Sequence, residues 1–111
     1  MEKVEKYRDC IKAILIEYST YKSPYGEVEA QLIWDTDRDR YQVVRVGWEP
    51  KQRVYGCSIQ LDIKDGKIWI QQNATEIDIG QELVDLGVPK EDIVVGFHPP
   101  YVRQFTEYAV S

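Results

Sequence analysis

Sulfur, histidine, basic excess and long apolar runs are all scarce in this chain. Two cysteines, Cys10 and Cys57, stand far apart and in no CxxC or CxxH spacing. Such usage fits the cytosol, where both are expected as free, buried thiols. A disulfide between them would need helix and sheet to meet at that point. The one histidine, His98, is too few for most zinc or histidine-relay sites. A Ser or Cys nucleophile would also need it as base. No apolar run exceeds a few residues, so no membrane span is expected. The stretch Met1-Glu2-Lys3-Val4-Glu5-Lys6 lacks the apolar core of a signal peptide, and a cytoplasmic location is the expectation. Lys and Arg number 14 against 19 Asp and Glu, a net charge of -5, with a pI near 4.9. That balance excludes a general nucleic-acid binder, which would be basic. Neither GxGxxG nor a P-loop occurs, and the seven glycines sit singly. No phosphate cradle, metal or cofactor is therefore expected.

What is present is one domain over residues 1–111, without repeats or linkers. At 43% hydrophobic residues it can build a core without staples. Residues 2–18 read as an amphipathic helix, with Val4, Tyr7, Ile11, Ile14, Leu15 and Tyr18 on one stripe. Ser23-Pro24-Tyr25-Gly26 is turn chemistry. From Glu27 the period becomes two: Val28, Ala30, Leu32 and Trp34 point one way, Glu27, Glu29 and Gln31 the other. Further strands are predicted over 41–48, 53–64 and 67–72. In the third, Cys57, Ile59, Leu61 and Ile63 alternate with Ser58, Gln60 and Asp62. Asp65-Gly66 is a strong hairpin signal. Asp78 with Gln81 forms a capping box for a second helix. Leu83, Val84 and Leu86 give that helix an apolar edge, and Gly87 ends it. Ile93-Val94-Val95 reads as a short buried strand. His98-Pro99-Pro100 is stiff, and the tail fits either a helical face of Tyr101, Phe105 and Tyr108 or a strand end. The expected fold is α+β: an N-terminal helix on an antiparallel meander of about four strands, with a short second helix and a C-terminal strand or helix.

Few motifs carry chemistry. Asp35, Asp37 and Asp39 open like a calcium loop, but Arg40 stands where Gly is needed and Val46 where a bidentate Glu is needed. A polar turn is the expectation. Asp62-x-Lys64 matches a nuclease strand, yet so do Glu49-x-Lys51 and Asp65-x-Lys67. Asn73-Ala74-Thr75 is a glycosylation sequon without meaning in the cytosol. Charge is uneven. Residues 38–67 hold seven basic side chains (Arg38, Arg40, Arg45, Lys51, Arg53, Lys64, Lys67) against four acidic ones, a net +3 that leaves -8 elsewhere. Lysines and arginines of this kind guard strand edges and hairpin tips. Alternatively they form a basic face for an acidic partner, protein or DNA. Tyr41, Trp48, Tyr55 and Trp69 lie in or beside this region, and Tyr, Trp and Arg dominate interface hot spots.

Several stretches together carry a resemblance. They are Tyr25-Gly26-Glu27-Val28-Glu29, Val46-Gly47-Trp48, Arg53-Val54-Tyr55-Gly56-Cys57 and Asp62-Ile63-Lys64-Asp65-Gly66-Lys67-Ile68-Trp69-Ile70. Leu86-Gly87-Val88-Pro89-Lys90-Glu91-Asp92-Ile93-Val94 and Gly96-Phe97-His98-Pro99-Pro100 continue it, with Arg103, Thr106 and Tyr108-Ala109-Val110. The chain resembles XisI, the fdxN element excision controlling factor family of cyanobacteria. The resemblance implies a part in a developmental DNA rearrangement during heterocyst differentiation. There a recombinase does the strand chemistry, and XisI with its companion XisH controls it. The family supplies no catalytic residues to carry over.

Three readings follow. The first is a non-enzymatic regulator that binds a protein, a XisH-like one or the excision recombinase. The second is a DNA-binding accessory factor. For both, the candidate contact residues are Arg38, Arg40, Arg45, Arg53, Trp48, His98 and Arg103. The third is an unrecognised enzyme site, which predicts a deep pocket lined by His98 and Arg103 together. Homo-oligomerisation is a further expectation, since small α+β domains dimerise through strand edges and aromatic surface.

Overall fold

The helical stripe and the alternating strands find one another in a computed structural model, which describes residues 2–21 and 27–111. The expected turn at Ser23-Pro24-Tyr25-Gly26 lies outside the described residues. Helix α1 spans Glu2–Ser19. Four strands follow: β1 (Glu27–Asp35), β2 (Arg40–Glu49), β3 (Gln52–Lys64) and β4 (Lys67–Asn73). Helix α2 (Ile79–Asp85) and a 3-10 turn (Lys90–Asp92) lead to β5 (Ile93–Val95) and the short α3 (Pro100–Arg103). The sheet order is β1-β2-β3-β4-β5. The first three pairings are antiparallel, as a meander requires, while β5 joins β4 in parallel. The parallel strand extends the expected meander. It follows from α2, which carries the chain back to the start of β4 as a crossover.

Helix α1 lies on one face. Tyr7, Ile11, Ile14 and Leu15 are at most 4% exposed and meet Tyr41, Val43, Ile59, Leu61, Ile68 and Ile70. Each such side chain contributes roughly 1.5–3 kcal/mol by leaving water. Polar ties hold the N-terminal half of α1. Arg8 grips Asp39 in the β1–β2 turn at 2.8 and 3.2 Å, and Tyr7 donates to Asp92. Lys3 Nζ adds a 3.0 Å ion pair to Asp92.

Helix α2 starts as expected, with Asp78 accepting from the Gln81 N–H. Only half of the capping box forms, because the Gln81 amide reaches forward to Asp85 instead. Gly87 (φ +99°) closes the helix. The Gly87 and Val88 N–H groups bond back to Val84 and Leu83 in a Schellman arrangement. Ile79 and Leu83 supply the buried edge, whereas Leu86 is 44% exposed.

Two register shifts alter the expected faces. Val43 pairs with Ile59 and Val44 with Cys57, so Ser58 is an extra residue bulged out of β3. Beyond it the alternation inverts, and Cys57 lies on the face opposite Ile59 and Leu61. Gln71 is the corresponding extra residue of β4. Cys10, on α1, and Cys57 thus lie on opposite sides of the sheet and are both free thiols, Cys57 only half-buried. The tail realises both expectations in part. α3 is a single turn, and Ala109 bridges in parallel to Val94 with its N–H on the Ile93 carbonyl.

Candidate interaction surfaces

The sheet face away from α1 can be mapped row by row, because directly opposed residues share a face. The rows across β1, β2 and β3 are Glu27–Trp48–Arg53, Glu29–Val46–Tyr55, Gln31–Val44–Cys57, Ile33–Gln42–Gln60 and Asp35–Arg40–Asp62. No helix among the described residues covers these rows. Trp48 is 50% and Tyr55 74% exposed. The Arg53 guanidinium sits over the Trp48 ring, 5.6 Å from its centre. At the other end Asp62 is buried, yet it is fully engaged. It faces Arg40 at 3.6 Å and accepts from Gln60 at 3.0 Å and Gln71 at 3.2 Å. The extra residue Gln71 thus reaches the buried carboxylate from β4. Asp62 is a structural polar centre, and Lys64 turns to the Trp69 ring instead, 4.4 Å from its centre.

The predicted contact residues do not form one site. Arg40, Trp48 and Arg53 share the open face. Arg45 lies on the helix-side face, paired with Glu49 at 3.6 Å. Arg38 sits in the β1–β2 turn, where its guanidinium bonds Asp35 at 2.8 Å and draws that carboxyl below its usual range. That turn is the polar one expected. Asp35 accepts from the Asp37 and Arg38 N–H groups. Asp39 takes a positive φ of 55° while receiving Arg8 and the Tyr41 hydroxyl.

His98 and Arg103 lie beyond β5 and face different ways. His98 lines a shallow cleft of about 190 Å³ with Asn73, Asp78, Gly80, Phe97 and Tyr108. Arg103 does not line that cleft. It donates to the carbonyls of Gly96, His98 and Val110 and covers the Trp69 ring at 5.2 Å. The deep pocket lined by both, which an enzyme reading required, is not what these residues build. Arg103 instead fastens the C-terminal segment. On that frame Phe97, Tyr101 and Phe105 stand 49, 71 and 81% exposed. The sequon also has a structural part, since Asn73 accepts from Thr75 and donates to the Ile77 carbonyl.

Residue types had pointed to Trp48 and Arg53. The display of Tyr101 and Phe105 was visible only as a possible helical face. Its exposure depends on the tether through Arg103, which links distant parts of the chain.

The whole arrangement has close counterparts. The family described as XisI protein matches residues 1–110. The chain belongs to the XisI family. A XisI-like protein from Anabaena variabilis ATCC 29413 is 49% identical and superposes with a TM-score of 0.88, covering 96% of this chain and 97% of the other. The fdxN element excision controlling factor XisI from the same strain is 37% identical, with a TM-score of 0.84 over 98% of this chain and 99% of the other. No curated protein matches. The XisI-family fold therefore extends over essentially all of this chain, including the parallel β5.

Proposed function

We propose that this chain is a non-enzymatic, cytoplasmic regulatory factor. It controls site-specific excision of a DNA element by binding a protein partner of the XisH type. Family membership supports the regulatory role, since a relative is named as an excision controlling factor. The observation that carries partner binding is the C-terminal display. Tyr101 and Phe105 are the most exposed large aromatics of that segment, 71 and 81%, on a frame fixed by three Arg103 hydrogen bonds. Rigid aromatics of this kind bind at small entropic cost.

The test is co-expression with the neighbouring XisH-like protein, affinity capture, and size exclusion with light scattering. Co-elution at a fixed ratio is expected. Replacing Tyr101 and Phe105 together by Ala should weaken capture at least about tenfold without changing the melting temperature. No complex with the parent chain would overturn the reading.

The alternative, a DNA-binding accessory factor, has less support. Arg38, Arg40 and Arg45 each face a carboxylate, which leaves little free charge for phosphates.

A further inference from the structure

The open face of β1–β3 has a charge and apolar pattern that complements itself. Its β1 column ends in Glu27 and Glu29, and its β3 column ends in Arg53 and Tyr55, while Trp48, Val46 and Val44 run down β2 between them. We propose that this face is the docking surface for a second copy of this chain, packed face to face about a twofold axis along β2. This inference does not rest on the XisH-type reading, which uses the C-terminal segment.

A twofold along β2 keeps each row at its height and exchanges its ends. β1 of one copy then lies over β3 of the other. Glu27 meets Arg53 of the second copy, and Glu29 meets its Tyr55 hydroxyl, a donor for the carboxylate. Trp48 and Val46 each meet their own symmetry mates on the axis, while Val44 is already buried within each copy. Paired sheets of aligned strands pack about 10 Å apart with their side chains interdigitated. Trp48 and Tyr55, 50 and 74% exposed, are tall enough to fill that gap.

The opposite end of the face behaves differently. There the row Asp35–Arg40–Asp62 would stack Asp35 on Asp62 and Arg40 on Arg40. Those charges are satisfied within each copy, by Arg38 for Asp35 and by Arg40, Gln60 and Gln71 for Asp62. Twisted sheets diverge at their corners, so this end splays into water. The contact therefore concentrates on the two rows holding Glu27, Trp48, Arg53, Glu29, Val46 and Tyr55.

Self-complementarity gives a test that a different occupant of the face would not pass. The chain is run by sedimentation velocity across a concentration series, alone and as Arg53→Glu and Glu27→Lys variants. The parent is expected at twice the 13.0 kDa chain mass. Each reversal should weaken the dimer at least about tenfold, since like charges then face each other. An equimolar mixture of the two variants should restore it. In the mixed dimer the carboxylate introduced by Arg53→Glu faces the ammonium introduced by Glu27→Lys across the axis. Trp48→Ala, which changes no charge, should weaken the dimer as well. Circular dichroism melts confirm that each variant is folded. A parent that stays monomeric at several hundred micromolar overturns the proposal. So does a dimer indifferent to both reversals, or one that the mixture fails to restore. A monomeric parent whose XisH-type binding is lost in Arg53→Glu would assign the face to that partner instead.

Discussion

Asp39 and Asp92 each hold a distant part of the chain to α1, and each is a carboxylate whose charge matters. The Arg8 hydrogen bonds draw Asp39 below the usual carboxylate range. Burial works to raise Asp92, but the bonds from Tyr7 and Lys3 outweigh it, and its pKa also falls. An unfolded chain takes up these protons first as pH drops, near the ordinary aspartate value of about 4. The stabilisation is therefore complete above that value and is lost as pH falls through the lower folded pKa values. Urea midpoints measured from neutral pH down to about pH 2.5 should fall accordingly. The fall should be shallower in Asp39→Asn. Asp39→Ala should cost about 1–3 kcal/mol at neutral pH, because the Tyr41 hydroxyl and Arg8 both lose their acceptor. None of this was legible beforehand. The triad Asp35, Asp37 and Asp39 was readable as a turn, but its partner Arg8 comes from a helix that only tertiary packing brings near.

At the scale of elements, Gly47 shows how closely the first hairpin is packed. A Cβ there would lie 1.9 Å from the Glu27 carbonyl oxygen and 2.7 Å from the Val28 Cα. Backbone cannot move aside as a side chain can, so Gly47→Ala must displace β1 from the end of β2. A loss of about 2–4 kcal/mol is expected, read from the thermal midpoint, with hydrogen exchange accelerated first in β1. Gly56, across the ladder, has open space around its position and should accept Ala at little cost. The element pattern was largely readable. Apolar periodicity marked α1, and Asp65-Gly66, with φ of 52 and 75°, turns β3 into β4 as its sequence demands. The bulge at Ser58 was not readable, since a period-two pattern carries no mark where one residue is skipped. It moved Cys57 to the other face. The parallel placement of β5 was equally hidden, because three residues are too few to show on which side a strand pairs.

For the molecule as a whole, the scattered arginines bear on what it can touch. The +3 segment suggested a basic face, yet folding gives most of those charges partners or sends them to opposite sides of the sheet. A gel shift with duplex DNA at low salt should show no band movement. A shift abolished by neutralising Arg38, Arg40, Arg45 and Arg53 would revive the DNA reading. The candidate contact residues were thus legible as types, and their grouping was not. Row partners across a sheet depend on register, and Arg103 reached Trp69 only through the fold of the last residues.

The C-terminal bridge has one more consequence. A sheet can recruit foreign strands only where backbone amides lie vacant at its rim. On the β5 side, Ala109 has taken that place, with Lys67 bonded to the Ser111 carbonyl beside it. The β1 rim stays open, and all its charged residues, Glu27, Glu29 and Asp35, are acidic. Two such rims laid antiparallel about Gln31 would set Glu27 against Asp35, so like would repel like. Strand addition at the β1 rim therefore favours a neutral or basic guest over a second copy of this chain.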